Sequence, residues 1–267
     1  MNRENIRDIL QSEGLLPQSK FGQNFLCDEV IIQKIVDLCE INREDIVLEI
    51  GSGLGSLTFP LSLKTDHLAC VEIDKGLADH LSDTITNVKI FHQDFLKFER
   101  PENINLDVVV SNIPYYIMTD IMKKLFGEYS DARKMVFMVE DEALARIDCR
   151  PGNKQYGPLA VLASLYGDYK YEIKVPSTAF IPQPRTTSAV ISFTRTKTAD
   201  YLTPEFVRFL NTCFSMRRKM LKKNLASYAS SDSLSKAFEK VGISENARAE
   251  ELKPDEFAKL YTELCNN

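Results

Sequence analysis

The order of segments in this chain predicts an α/β fold: a Rossmann-like, mostly parallel sheet with one antiparallel strand, followed by a small all-α C-terminal domain. Three observations predict it. Apolar runs rich in β-branched residues at 46–50, 67–73, 88–92, 107–110 and 134–139 alternate with helical patterns, and such near-continuous runs are what a parallel sheet covered on both faces requires. Two further runs, YKYEIKV (169–175) and AVISF (189–193), are separated by a Pro-rich loop with no room for a helix, so they are expected to pair antiparallel at the end of the sheet. Beyond Thr194 a polar stretch ends in Pro204, and the remainder of the chain has helical periodicity without a strand signal.

Residues 1–27 read as a short helix and an extended arm, broken by Gly14, Pro17 and Gly22. In the next segment Ile31, Ile35 and Leu38 recur at helical spacing behind Asp28, a residue suited to capping, so an amphipathic helix starts there. The polar stretch places a boundary near 196–203, dividing an α/β domain with its arm (1–196) from a domain of three to five short helices (203–267).

Composition excludes several classes. With 267 residues, 44% of them hydrophobic and 27% charged, the chain has the makings of a buried core. No apolar run approaches the roughly 18 residues that cross a bilayer, and the polar N-terminus does not resemble a secretory signal, so a cytoplasmic protein is expected. Cysteines 27, 39, 70, 149, 213 and 265 form no C-x-x-C pair and His67, His80 and His92 are scattered, which argues against a disulfide scaffold or a metal site. A net charge of −5 rules against nucleic-acid binding by the overall field, leaving only a local patch.

The first strand runs into LEIGSGLGSLT, placing Gly51, Gly53 and Gly55 in the turn between a strand and a helix, where main-chain amides stay open to a ligand. Glu72 ends the next strand, where a carboxylate can accept both hydroxyls of a ribose. The dinucleotide spacing fails because Ser56 stands at its third glycine position, and there is no P-loop; the pattern fits S-adenosyl-L-methionine better than NAD or ATP. Asp94, after the third strand, is placed either to accept from the cofactor's adenine amine or merely to cap a helix.

The fourth strand leads into Asn112, Ile113, Pro114 and Tyr115. An adenine amino nitrogen is a weak nucleophile because its lone pair is delocalised. Acceptors aimed at its two hydrogens favour a pyramidal, more reactive geometry, and Asn112 and a main-chain carbonyl beside Pro114 supply them. Proline stiffens the loop, and Tyr115 offers a face on which a flipped base stacks. An ordinary Asn-x-Pro turn would look the same, but this one falls at the strand edge where ligands bind in such sheets.

Together with QSKFGQNFL (18–26), VEID (71–74), HQDFL (92–96), PGNKQYGPLAV (151–161), AFIPQPRTTSAV (179–190) and FSMRRKMLKKNL (214–225), these motifs resemble the rRNA adenine N6,N6-dimethyltransferase family in its small-subunit (KsgA) type, over nearly the whole chain and in order. The resemblance implies a Rossmann-like methyltransferase sheet that binds S-adenosyl-L-methionine. It implies cofactor contacts from Gln23, Asn24, Leu26, Gly51, Gly53, Gly55, Glu72, Ile73, Asp94, Phe95 and Asn112, and a base held by Asn112, Pro114, Tyr115 and, from the other side, Phe180. It further implies dimethylation of two adjacent adenines near the 3′ end of 16S rRNA, within the small subunit or its precursor, as part of subunit biogenesis. A monomer without metal or membrane attachment is expected. Two alternatives stay open: Erm-type dimethylation of large-subunit rRNA giving macrolide resistance, and a non-catalytic rRNA-binding assembly factor.

Charge is unevenly divided. Residues 196–267 carry 12 Lys and Arg against 10 Asp and Glu, a net of +2, whereas residues 1–195 carry −7. Arg217, Arg218, Lys219, Lys222 and Lys223 crowd into one stretch expected to be helical, and with Lys20 of the arm they are the candidate RNA contacts; the bland reading is a solvated helix face.

Overall fold

The computed structural model describes residues 1–101, 104–196 and 200–265, and they form two compact units. The first contains Met1–Ile121, Asp131–Glu142 and Tyr169–Thr194; the second contains Met122–Ser130, Ala143–Asp168 and everything from Arg195 onward. The division is thus less simple than one boundary at 196–203, of which 197–199 lie outside the described residues. Segments that sit between strands in the sequence belong to the helical unit because their apolar faces are buried there, with the Phe126 and Tyr166 rings 5.2 Å apart.

Along the chain, α1 (Arg3–Ser12) is followed by β1 (Phe25–Leu26) and α2 (Glu29–Leu38). Asp28 caps α2 as the sequence indicates, its carboxylate accepting from the Val30 and Ile31 amides. Then come β2 (Ile46–Ile50), α3 (Thr58–Ser62), β3 (His67–Glu72), α4 (Lys75–Thr84), β4 (Val88–His92), β5 (Val108–Asn112), α5 (Met118–Glu128) and β6 (Lys134–Glu140). After α6 (Pro158–Tyr166) of the second unit, β7 (Gly167–Val175), β8 (Phe180–Ile181) and β9 (Ser188–Arg195) complete the strands.

The main sheet has the order β4-β3-β2-β5-β6-β9-β7. β2 pairs in parallel with β3 and β5, and β5 in parallel with β6, whereas β9 runs antiparallel to β6 with Ile191 opposite Phe137. The chain moves outward from β2 to β4 and returns on the other side as β5, so β2 and β5 flank a topological switch point, where open sheets bind ligands. Beneath that edge, Val47, Leu68, Val108, Val110, Val136 and Met138 are buried in one core cluster, matching the apolar runs of the sequence.

The arm is fixed by a pairing that no sequence pattern announces. β1 joins β8 in a separate two-stranded sheet, Leu26 opposite Phe180, which holds the arm beside the main sheet. On its outer side α1 contributes Ile6, Ile9 and Leu10 to a cluster with Phe25, Leu54 and Leu77.

The second unit packs α7 (Pro204–Cys213), α8 (Leu221–Asn224), α9 (Ser231–Val241) and α10 (Pro254–Cys265) around aromatic side chains, with Phe206 edge-on to Tyr261 and Phe209 edge-on to Tyr228. The stretch Phe214–Leu225, expected to be one helix, is interrupted: α7 stops at Cys213 and turns carry the chain to α8. Buried Asn224 explains the break. Its amide donates to the Cys213 carbonyl at 2.6 Å and the Met216 carbonyl at 3.3 Å, satisfying acceptors that the end of α7 leaves open.

Candidate active site

The C-terminal ends of β2, β3 and β5 open into a cleft of about 730 Å³, part of it solvent. Its walls come from the arm (Gln23, Asn24, Leu26), the glycine turn (Gly51, Gly53), the end of β3 (Glu72, Ile73) and the loop after β5 (Asn112, Pro114, Tyr115). Ten of the residues singled out from the sequence therefore line one space.

The turn is shaped to receive a ligand. Gly51 has φ +70°, and a Cβ there would project into open space, its nearest neighbour being the Asn112 carbonyl oxygen 3.9 Å away. A side chain would take up space that glycine leaves open at the cleft wall. Gly55 serves a different purpose: a Cβ there would stand 2.8 Å from side-chain atoms of both Leu81 and Phe59, so this glycine allows close packing behind the turn and does not line the cleft.

Glu72 is buried, and both carboxylate oxygens are oriented by main-chain donors: Oε2 accepts from the Gly53 amide and Oε1 from the Asp74 amide, each at 2.9 Å. Burial raises its pKa, with those amides pulling the other way. Each oxygen keeps a lone pair, so the group remains a double acceptor for vicinal hydroxyls.

Asn112 is held by the arm. Its Nδ2 donates to the Asn24 carbonyl at 3.1 Å, while the Asn24 side chain donates to the Gly22 carbonyl at 3.1 Å. With Nδ2 so engaged, Asn112 Oδ1 is left as an acceptor on the cleft wall. Tyr115 is half-buried, and its hydroxyl meets Ser188 Oγ at 2.5 Å, which fixes the ring orientation. The Pro114 carbonyl accepts from the Ile117 amide at 3.2 Å, and the Ile113 carbonyl is the other one beside the proline.

Other expected residues lie apart from this cleft. Phe180 is fully buried in the core cluster with Leu26 and Ile35, because strand pairing with β1 turns its ring inward, and it does not line the cleft. Asp94 caps a single turn, Phe95–Lys97, its Oδ1 accepting from the Leu96 amide at 3.0 Å. Phe95 is buried against Phe98. The cationic side chain of Lys20 lies over the Phe21 ring at 4.5 Å. Among the cations of the second unit, Arg217 donates to the Tyr156 carbonyl at 2.6 Å and Lys222 pairs with Glu245 at 2.5 Å, so both are engaged internally. Arg218, Lys219 and Lys223 are exposed.

Two further residues at the site are not among those expected from the sequence. Asp74, whose signal is a capping acid directly before the helical KGLADHL, accepts from the Gln18 and Gln23 side chains and caps α4. Glu49, an acid inside the apolar IVLEI strand, lies buried on the cleft wall with Cys70 Sγ donating to it at 3.4 Å. Burial pushes its carboxyl up to about 7, helped by the charge of Glu72, while the Cys70 thiol pulls it down. The ordinary value is 4.5, so between those two pH values the folded chain keeps a proton that the unfolded chain has released. The stability this group contributes is complete below about pH 4.5 and is lost as pH rises through 7. The expected result is that wild-type melting temperature falls between pH 5 and 8 by the equivalent of about 3 kcal/mol more than that of Glu49→Gln, measured by calorimetry.

A glycine turn at a switch point, a buried carboxylate at the end of β3 and an Asn-x-Pro-Tyr loop define a Rossmann-like methyltransferase that uses S-adenosyl-L-methionine. Comparison with known sequences narrows this: the ribosomal RNA adenine dimethylase family matches residues 15–266, and the chain belongs to that family. It is 35% identical to a protein named ribosomal RNA small subunit methyltransferase A from Natranaerobius thermophilus, over 98% of this chain and 96% of that one. It is 36% identical to the protein of the same name from Shouchella clausii, over 96% and 92% of the two chains. Among solved structures, a dimethyladenosine transferase from Plasmodium falciparum superposes with a TM-score of 0.72 at 23% identity, covering 91% of this chain and 98% of the other. The 23S rRNA methyltransferase ErmE gives 0.58 at 24%, covering 91% and 100%. At those identities the structural likeness is one of fold.

Proposed function

We propose that this enzyme transfers methyl groups from S-adenosyl-L-methionine to N6 of two adjacent adenines near the 3′ end of 16S rRNA, in the small subunit or its precursor, as a step of subunit biogenesis. The observation that carries the site reading is the bond from Asn112 Nδ2 to the Asn24 carbonyl, which leaves Oδ1 as the group presented to the cleft. The small-subunit target is supported by full-length relatives at 34–36% identity that carry that name.

The residues of the cleft fit the cofactor. Glu72 would take the ribose hydroxyls, Ile73 would offer an apolar edge to the adenine, and the turn at Gly51 and Gly53 would admit the amino-acid end. When bound, the cofactor supplies an electrophilic methyl on a sulfonium. Asn112 Oδ1 and the Ile113 carbonyl accept from the two hydrogens of the target amine, concentrating the nitrogen lone pair toward the methyl. Tyr115 stacks on the flipped base, a contact of about 1–3 kcal/mol, and its bond to Ser188 holds the ring in place beforehand. No strong base is required, because the methylated amine is acidic enough to lose its proton to water. In this reading the enzyme acts as a monomer, the groups assigned to the site needing no second copy. Its place of work in this reading is the cytoplasm, with the ribosomal RNA for which its relatives are named. Among the described residues no helix is long and apolar enough to cross a membrane.

Arg218, Lys219 and Lys223 contact RNA phosphates, with Lys20 contributing from the arm, whereas Arg217 and Lys222 hold the second unit together. Replacing the three exposed cations by Gln lowers the dependence of log affinity on log salt by about 2–3, read by filter binding at several salt concentrations. Arg217→Gln lowers the melting temperature more than it changes that slope.

Labelled methyl donor incubated separately with undermethylated small and large subunits, followed by mapping of the modified base, tests the reading. Two dimethylated adenines in the small subunit support it. Label confined to the large subunit supports the Erm-type reaction, and RNA binding without transfer supports an assembly factor.

A further inference from the structure

We infer that Asp74 is a positioning residue that locks both ends of the transfer site through the N-terminal arm. The side chain is 8% exposed, and its two oxygens have separate tasks. Oδ1 accepts from the Gly76 and Leu77 amides at 2.9 and 3.4 Å, capping α4. Oδ2 accepts from the side-chain amides of Gln18 and Gln23. The Asp74 main-chain N–H donates to Glu72 Oε1. Gln23 in turn accepts the Gln18 main-chain N–H on its Oε1 at 2.7 Å, so its amide orientation is determined. The next residue along the arm is Asn24, whose carbonyl holds Asn112.

Hydrogen bonds therefore run from the ribose acid through Asp74 to Gln23, and, across the peptide link to Asn24, on to the carboxamide that faces the substrate. Helix capping needs only one acceptor oxygen. The second oxygen, given to two glutamines more than fifty positions away in sequence, has no part in capping. Its consequence is that the arm, and with it Asn112, is set relative to Glu72 before either substrate arrives. The inference rests on reading Glu72 as the cofactor end and Asn112 as the acceptor end.

Asp74→Asn separates the two tasks. The variant keeps an oxygen for the α4 cap but sets an amine against the two glutamine amines; Gln23 cannot turn over without losing the Gln18 N–H. In Gln23→Glu the two carboxylates oppose each other. In Asp74→Asn combined with Gln23→Glu, a carboxylate again receives an amide hydrogen while still accepting from Gln18. The full-length variants are assayed for tryptic cleavage after Lys20, for S-adenosylhomocysteine affinity by calorimetry and for single-turnover methyl transfer to small subunits. Each single variant is expected to speed arm cleavage and to weaken affinity and slow transfer about tenfold each, and the double variant to recover most of all three. Rescue excludes a mere loss of stability. Unchanged cleavage and affinity in Asp74→Asn, or a double variant worse than either single one, overturns the lock. If the cycle couples as expected but Glu72→Ala still binds the cofactor and Asn112→Ala still transfers methyl, the arm lock stands and the site reading fails.

Discussion

Asn112→Ala is expected to slow methyl transfer by about 10²- to 10³-fold in single-turnover assays, with S-adenosylhomocysteine affinity changed by no more than about threefold. The magnitude reflects the group the side chain supplies. A fixed carbonyl dipole aimed at the amine hydrogens stabilises charge that develops as the nitrogen attacks, and water entering the truncated site must reorganise to replace it. The Asn24 carbonyl that holds Asn112 would lose its donor but stays near the cleft mouth, so the cofactor seat is preserved. RNA affinity should also be retained, because the phosphate contacts are assigned to other residues. Transfer at the wild-type rate by Asn112→Ala would remove the catalytic assignment.

Glu72→Ala is expected to weaken donor and product binding by about 10²-fold or more, measured by calorimetry, through loss of two charge-assisted hydrogen bonds of about 1.5–3 kcal/mol each. Its Gly53 and Asp74 amides would also lose their acceptor, loosening the turn on one side and the start of α4 on the other. Glu72→Gln should fall between: the amide retains one acceptor oxygen but must face one of the two main-chain donors with its own N–H. Saturating donor should recover transfer by Glu72→Ala but not by Asn112→Ala. The two predictions thus separate cofactor binding from chemistry.

Much of this site is legible in the sequence because its parts are local. β2, β3 and β5 are buried on both faces and read as uninterrupted apolar runs, and Gly51, Glu72 and Asn112 each lie at or just past the end of such a run. Once the sheet order is parallel, three strand ends must meet at one edge. The features that are not legible depend on distant partners. The two-residue pairing of Phe25–Leu26 with Phe180–Ile181 is too short for any periodicity, and it decides that the Phe180 ring enters the core. The basic stretch 217–223 has helical composition, yet the buried amide of Asn224 ends α7 before it begins. The use of Arg217 on the Tyr156 carbonyl, and of Asp74 on two arm glutamines, shows the same limit: charge and capping propensity are visible locally, their partners are not.

A crystal structure of the enzyme with S-adenosylhomocysteine tests the central claim most directly. Both ribose hydroxyls are expected within hydrogen-bond distance of the Glu72 carboxylate, with the homocysteine sulfur directed toward the space in front of Asn112 Oδ1. Product bound outside the cleft, or bound within it with the sulfur turned away from Asn112, would contradict that claim.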